Sequence, residues 1–172
     1  MRIKKYTEVP STNALAKKTK PRSWTVIWAE KQTSGYGRKK DYWFSPKGGL
    51  YFTIILPKSK IEDLQTLNIL AAFITAKVIK ESFKLEPFIK LPNDVYVNHR
   101  KIAGILTETV IGSDVKFSIM GIGLNTNIEK FPKELENTAT SLKIELGRKV
   151  DNEKILKQIV TELKEQLKTI SE

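Results

Sequence analysis

The sequence predicts an α+β fold in which a mixed, largely antiparallel β-sheet is flanked by helices. Strand patterns cluster in the middle of the 172-residue chain, and two of them are joined by a short polar turn at 98–100, as in a hairpin. Two long segments, at 61–84 and after Asp151, repeat apolar residues near the helical period of 3.6. This arrangement favours helices packed on one side of the sheet over a doubly wound sheet.

The first half of the chain contains three predicted strands and two predicted helices. Strands are expected at 3–6, 24–29 and 49–56, and the last of these ends at the turn 57–60. Ser11 or Thr12 is a good N-cap for a short helix over 14–18. Residues 30–47 lack any period and are predicted to form a loop, whereas 61–84 is the longest helix.

The second half is predicted to be strand-rich and to end in a helix. Strands are expected at 88–91, 95–97, 101–110 and 115–124. Asp151 caps the last helix, and its apolar stripe comprises Ile155, Leu156, Ile159, Val160, Leu163 and Leu167. We therefore expect one domain over 1–172.

Composition excludes several classes of protein. The 30 Lys and Arg outnumber the 19 Asp and Glu, for a net charge of +11, which favours anionic partners. There is no Cys, so disulfides, thiolate zinc sites and Cys nucleophiles are excluded. No segment has the roughly 18 apolar residues of a membrane span, and no signal-peptide pattern follows Met1. We expect a soluble cytoplasmic protein that does not associate with membranes.

A glycine-bearing basic loop is the first candidate site. Its glycines allow close approach of the backbone to a ligand, and its cations add positive charge, which suits phosphate. A mobile surface loop is the alternative, and the spacing is not that of a Walker P-loop. The residues concerned are Gln32, Gly35, Tyr36, Gly37, Arg38, Lys39 and Lys40.

Aromatic and amide side chains follow in two further segments. Trp43 can stack on a purine ring, whereas Phe44 is at least as well explained by core packing. Asn93 and Asp94 follow a strand and Pro92, where they are either turn residues or ligands of a small molecule or metal ion.

Two glycine-bearing strands complete the candidates. Lys101 precedes Gly104, and a glycine inside a strand indicates close approach of a ligand or another backbone, although a solvated lysine at a strand end is the alternative. The strand that contains Gly121 and Gly123 leads to Asn125, which indicates either a bulge and turn or a floor for a flat ligand. Lysines 17 and 18 are expected at a solvated helix end, and His99 in a surface turn.

Taken in order, these segments resemble the catalytic domain of biotin protein ligases. The family pattern is Ser-Thr-Asn, Gln-x-x-Gly-Arg-Gly-Arg, Trp-x-Ser-Pro, Lys-Trp-Pro-Asn-Asp, Lys-x-x-Gly-Ile-Leu and Gly-x-Gly-x-Asn. The chain has matching segments at 11–13, 32–38, 43–46, 90–94, 101–106 and 121–125. The resemblance implies a class II aminoacyl-tRNA synthetase/biotin ligase-like fold.

The resemblance also implies a two-step reaction with ATP and Mg²⁺. Biotin forms biotinyl-5′-adenylate with release of pyrophosphate, and a lysine of a biotin carboxyl carrier protein then displaces AMP. Lys101 and Arg38 would be catalytic, and Asp94 is a possible metal ligand. Biotin would contact Ser11, Thr12, Asn13, Gln32, Gly35, Tyr36, Gly37, Gly104, Gly121 and Gly123. The nucleotide would contact Arg38, Lys39, Trp43, Asn93, Lys101 and Asn125.

The chain departs from the family pattern at four points. Tyr36 replaces the first Arg of the loop, and Leu91 replaces a Trp of the pocket wall. We expect no N-terminal helix-turn-helix, hence no specific DNA binding, and no C-terminal β-barrel. A homodimer through a sheet edge is possible. The alternatives are a non-catalytic biotin or nucleotide binder that needs a partner domain, a lipoate-type ligase, and a basic nucleic-acid-binding module.

Overall fold

The computed structural model describes residues 1–19, 22–57, 63–111 and 116–171. The strands in this part of the chain are β1 (Arg2–Val9), β2 (Thr25–Gln32), β3 (Leu50–Ile55), β4 (Pro87–Lys90), β5 (Asp94–Val97), β6 (Arg100–Ile111) and β7 (Lys116–Leu124). The helices are α1 (Thr12–Lys18), α2 (Leu64–Phe83), α3 (Leu142–Leu146) and α4 (Asn152–Ser171).

The strands form one sheet in the order β1–β2–β3–β7–β6–β5–β4. β1 runs parallel to β2, and every other pair of neighbours is antiparallel. The prediction of a mixed, largely antiparallel sheet is therefore confirmed. β7 lies at the centre, so residues near its end are enclosed by neighbouring strands on both sides.

Helices cover both faces of the sheet, so the expectation of helices on one side is wrong. Ala16 of α1 packs with Ile27 and Ile55 on one face. Phe52 and Ile54, which alternate with those positions, belong to the larger core that α2 and α4 cover. Strands buried on both faces are apolar at successive positions, so their sequences do not indicate which face a helix covers.

The larger core lies between the sheet, α2 and α4. All six residues of the predicted stripe on α4 are buried, as predicted. Lys77 of α2 and Glu162 of α4 form a 2.8 Å ion pair across the two helices. Within the described residues, no helix is long and apolar enough to cross a membrane.

Side-chain caps define where the helices begin. The Ser11 hydroxyl accepts a hydrogen bond from the Ala14 amide, so Ser11 is the cap of α1 and Thr12 is its first residue. Asp151 accepts from the amides at 153 and 154, as predicted for α4. Asp63 caps α2, which begins at Leu64. The predicted helix start at 61, part of the turn at 57–60 and the strand start at 115 lie outside the described residues.

Other differences are local. β2 continues to Gln32 rather than ending at 29, and a 3₁₀ turn, Arg38–Lys40, interrupts the predicted loop. α3 was not predicted, because five residues are too few to show a period. Asn98 and His99 have φ of 49° and 62°, as in the tight turns that join antiparallel strands, and His99 is exposed as expected.

Candidate active site

A cavity of about 170 Å³ opens on the face of the sheet that α1 covers. It lies between the N-terminus of α1, the glycine-bearing loop and the central strands β6 and β7. The structure brings most of the predicted site residues to this cavity: Ser11, Thr12, Asn13, Gln32, Tyr36, Gly37, Arg38, Trp43, Asn93, Asp94, Lys101, Gly104, Gly121 and Gly123. The remaining predicted residues, Gly35, Lys39 and Asn125, do not line it.

A buried polar network forms one end of the cavity. Gln32 Oε1 accepts from the Thr12 amide at 2.8 Å and from its hydroxyl at 3.1 Å, and Gln32 Nε2 donates to Ser45 Oγ at 2.9 Å. The second N–H of Gln32 has no acceptor in the described part of the chain. The Ser11 hydroxyl proton has no acceptor among the residues that the structure describes. These two groups are donors that a polar ligand can use.

Asn13 lies flat against β7 at Gly121. A Cβ at Gly121 would come within 2.2 Å of Asn13 Oδ1, so only glycine fits beneath this amide. Asn13 Oδ1 accepts from the hydroxyl of Thr53, on β3, at 2.6 Å. Sequence reasoning missed Thr53, although a single polar residue in the apolar strand 50–55 was a usable signal.

The indole of Trp43 lies across two other glycines. A Cβ would come within 2.5 Å of Trp43 Nε1 at Gly123 and within 3.1 Å of its ring at Gly104. These glycines therefore give the indole its place on the sheet. Their contact with a ligand stays a prediction.

Lys101, like Arg38, is a cation that lines the first cavity. Its Nζ forms a 2.8 Å ion pair with Asp94 Oδ1 and lies 5.1 Å from the centroid of the Trp43 ring. Asn93 Nδ2 donates to the Ile105 carbonyl at 3.0 Å, while its Oδ1 has no hydrogen-bond partner among the described residues. The Lys101 ammonium group has three N–H donors, so it keeps donors for a ligand in the cavity while it pairs with Asp94.

A second cavity of about 160 Å³ adjoins the first, and Trp43 and Lys101 line both. Its wall is mostly aromatic and aliphatic, and it includes the predicted Asn125. The Trp43 ring and the Lys101 side chain thus stand where the two cavities meet. Tyr42 also lines both cavities, and the other residues that line the second are Phe44, Phe131, Leu135, Thr138 and Ala139.

Three residues that were expected at the site do not line the first cavity. Leu91 is 67% exposed and does not line either cavity, so its place in the pocket wall stays a prediction. Gly35 is buried behind the network, where a Cβ would lie 2.6 Å from Ser45 Oγ. Lys39 is exposed, has a φ of 55° and does not line the first cavity.

A network of charged groups under the loop was also missed. Lys17 is exposed in the last turn of α1, as expected. Its Nζ also lies 2.6 Å from Glu108 Oε1 and donates to the Tyr36 hydroxyl at 3.2 Å, which was not expected. Burial acts to lower the pKa of Lys17, but the hydrogen bonds to Glu108 and Tyr36 outweigh it and raise that pKa. Glu108 follows an apolar stretch of β6, which was the available signal.

The described residues contain no cluster of three His, Asp or Glu side chains that could hold a metal ion. Two carboxylates, Asp41 and Asp94, line the first cavity. Since Mg²⁺ in nucleotide sites is commonly held by one or two carboxylates and the substrate phosphates, these residues suit an ion that arrives with a nucleotide. Asp94 as a metal ligand stays a prediction.

Two neighbouring cavities of different chemistry make up the site. One cavity is polar and hydrogen-bonding, the other is aromatic, and a lysine stands between them. A sequence profile of the Biotin/lipoate A/B protein ligase family matches residues 4–125, which is most of the chain. The chain belongs to this family, as its motifs predicted.

Individual relatives agree with this assignment. The chain is 38% identical over 141 residues to the Bifunctional ligase/repressor BirA of Bacillus subtilis, covering 79% of this chain and 43% of that protein. It is 32% identical over 160 residues to the Biotin–[acetyl-CoA-carboxylase] ligase of Paracoccus denitrificans, covering 85% of this chain and 65% of that protein.

The fold matches a solved structure of the Aquifex aeolicus biotin protein ligase in complex with biotin and ATP. The TM-score is 0.91 at 31% sequence identity, covering 99% of this chain and 72% of that chain. The expectation of a biotin ligase-like catalytic fold is therefore confirmed. The chain spans less than half the length of the BirA proteins that it matches.

Proposed function

We propose that the chain catalyses ATP-dependent attachment of biotin to a lysine of a biotin carboxyl carrier protein. The observation that carries the proposal is the position of Lys101 at the junction of the two cavities. In the first step, a biotin carboxylate oxygen bonds to the α-phosphorus of ATP and pyrophosphate leaves. In the second, the acceptor amine bonds to the acyl carbon of the adenylate and AMP leaves.

The polar cavity suits the ureido ring of biotin. Ser11 and Gln32 each have a donor left for a ligand oxygen, and Asn13 Oδ1 has one lone pair left for a ligand N–H. The dithiolane ring of lipoate has no N–H and no oxygen, so it would leave these buried groups unpaired. A site built to hydrogen-bond its substrate strongly rejects an analogue that lacks those groups. We therefore favour biotin over lipoate.

The aromatic cavity suits the adenine ring. Trp43 and Phe44 offer apolar faces, and Asn125 Oδ1 has no hydrogen-bond partner among the described residues, so it can accept from an amino group. Arg38 lines the polar cavity and, with Lys39 on the same loop, adds positive charge near the phosphates.

Lys101 would act by electrostatic stabilisation. Two anions, a carboxylate and an α-phosphate, must approach each other, and negative charge builds on the phosphoryl oxygens as pyrophosphate leaves. A fixed ammonium between the two cavities offsets that repulsion. Asp94 holds Lys101 in place before the substrates bind. The reaction uses MgATP, in which Mg²⁺ offsets charge on the phosphates.

The proposed partners follow from this chemistry. The acceptor is a biotin carboxyl carrier protein and the compartment is the cytoplasm, where ATP is available. No specific DNA target is proposed, and a homodimer through a sheet edge stays a hypothesis.

The experiment uses the purified chain with ATP, Mg²⁺, biotin and a carrier domain. Pyrophosphate release reports adenylate formation, and the mass of the carrier reports transfer. We expect both signals with biotin and neither with lipoate. Pyrophosphate without carrier modification would mean that a partner domain is needed for transfer, and no pyrophosphate with biotin would overturn the proposal.

Lys101→Ala tests the mechanism. Removal of one preorganised charge from a reacting centre lowers the rate by about 10²-fold to 10³-fold, so we expect that loss in pyrophosphate release. Lys31→Ala is the matched control, because Lys31 forms an ion pair with Glu8 of β1 and both side chains are largely exposed, at 44% and 50%. Near-normal pyrophosphate release by Lys101→Ala would contradict the role given to Lys101.

A further inference from the structure

The carboxylate of Glu108 joins three parts of the chain beneath the glycine-bearing loop. Its Oε2 accepts from Asn13 Nδ2 at 2.8 Å and from the Tyr36 hydroxyl at 3.0 Å. Its Oε1 accepts from Lys17 Nζ at 2.6 Å. One side chain of β6 therefore holds both α1 and the loop, and Asn13 and Tyr36 share the same oxygen.

These contacts determine how the Asn13 amide is turned. Its Nδ2 donates to Glu108 and, at 3.3 Å, to the Leu106 carbonyl, so both of its N–H groups are used. Its Oδ1 accepts from the Thr53 hydroxyl at 2.6 Å and keeps one lone pair. Because an amide flip would place an N–H against Thr53 and an oxygen against Glu108, the carboxylate fixes Asn13 as an acceptor.

The same oxygen holds the loop over the cavity. Tyr36 pairs with Tyr42 across the loop in a backbone bridge, and the Gly37 amide donates to the Asp41 carbonyl at 2.8 Å, so the loop is internally tied. The Tyr36 phenol is the side chain that links it to Glu108 and Lys17. Burial and the charge of Glu108 raise the pKa of Tyr36, which keeps the phenol a donor.

We propose that Glu108 is a positioning residue that acts through Asn13 and Tyr36. Through Asn13 it presents an acceptor to a ligand N–H, and through Tyr36 it keeps the loop seated over the bound ligand. The identity of that ligand, biotin, rests on the proposed function. Tyr36 replaces an Arg of the family pattern. In this proposal its uncharged phenol holds the loop in place, as a latch, instead of contacting a phosphate.

Glu108→Gln distinguishes a role in positioning the ligand from a role in the chemical step. The glutamine side chain keeps the shape of glutamate, but its oxygen can accept from only two of the three donors. It also lacks the negative charge that strengthens the hydrogen bonds from Asn13 and Tyr36. We expect the KM for biotin to rise about tenfold to hundredfold, the effect of losing a hydrogen bond to a charged group. The KM for ATP should stay within about twofold of wild type, as should kcat for pyrophosphate release.

Tyr36→Phe removes the loop contact alone. We expect faster dissociation of the bound adenylate with a KM for biotin close to wild type, whereas Glu108→Gln should change both. Glu8→Gln is the matched control, since it removes a surface glutamate that pairs with Lys31 at 2.6 Å and lies away from the cavity. It should match wild type in every measurement.

A ligand-free measurement keeps the inference testable if the proposed reaction fails. Amide hydrogen exchange of residues 33–41 should be faster in both Glu108→Gln and Tyr36→Phe than in wild type and Glu8→Gln. Thermal unfolding checks that each variant folds. Unchanged exchange in the loop would overturn the latch, and equal losses in kcat and kcat/KM for Glu108→Gln, with an unchanged KM for biotin, would overturn the positioning role.

Discussion

The glycines of β6 and β7 are matched to particular side chains of the site. Gly121 lies under the Asn13 amide, whereas Gly104 and Gly123 lie under the Trp43 indole. Each glycine thus allows a polar or aromatic group to rest on the sheet. The sequence predicted that some group lies close to the backbone at these glycines, and the structure shows that the groups are the Asn13 amide and the Trp43 indole.

Gly123→Ala tests whether the Trp43 indole requires glycine beneath it. The added methyl would lie 2.5 Å from Trp43 Nε1, so the indole must shift. Overpacking of this kind lowers the free energy of unfolding by about 1–3 kcal/mol. Gly104→Ala should lower it less, because its methyl would lie 3.1 Å from the edge of the ring. Urea unfolding measures both.

Removal of the indole tests whether its clash with the added methyl causes the loss of stability. In a Trp43→Ala background the methyl at 123 meets no ring, so the further loss caused by Gly123→Ala should nearly disappear. An undiminished loss in the double variant would show that the strand itself, and not Trp43, requires glycine.

At the scale of elements, α4 closes the larger core and depends on its cap. Its six apolar residues are buried in this core, and the first of them, Ile155, lies in the first turn, which the cap stabilises. Asp151 supplies that start by accepting from two amides of the first turn, at 2.9 and 3.1 Å.

Asp151→Ala should lower the free energy of unfolding by about 1 kcal/mol, because two amides lose their acceptor. Asp151→Asn is the control, since asparagine caps helices about as well. Chemical denaturation of the three proteins gives the comparison. If the alanine and asparagine variants lost stability equally, the charge of Asp151 rather than its hydrogen bonds would be responsible.

For the molecule as a whole, the network of Lys17, Tyr36 and Glu108 under the loop makes the folded state less stable as the pH rises into the alkaline range. The pKa values of Lys17 and Tyr36 lie above their ordinary values of 10.5 and 10.0. Burial dominates the shift of Tyr36, and hydrogen bonds to Glu108 and Tyr36 overcome burial for Lys17. The folded chain therefore holds these protons more tightly than the unfolded chain does.

The contribution of this network is fully present below about pH 10 and is lost as pH rises through the raised pKa values. Tyr36→Phe should flatten the decline of the melting temperature above pH 10, because it removes one titrating group and one hydrogen bond to Lys17. Tyr42→Phe, which removes an exposed phenol of the same loop, should keep the wild-type decline. Identical profiles for wild type and Tyr36→Phe would contradict this prediction.

Local sequence patterns were enough to predict the fold class, most element positions and most of the residues that line the polar cavity. Alternation and helical period are local signals, and ordered motifs such as 11–13 and 121–125 identify a family without any coordinates. Caps at Ser11 and Asp151 were equally local, since a cap acts on amides two or three residues away.

The folded chain was needed to show which face of the sheet each helix covers and which distant residues are in contact. Lys17 and Glu108 are 91 residues apart, and Thr53 meets Asn13 across 40 residues, so no local pattern pairs them. The exposed position of Leu91 and the second cavity around Phe131 were equally hidden. These features depend on how strands from separate parts of the chain are ordered in the sheet, and that order is set by long-range packing.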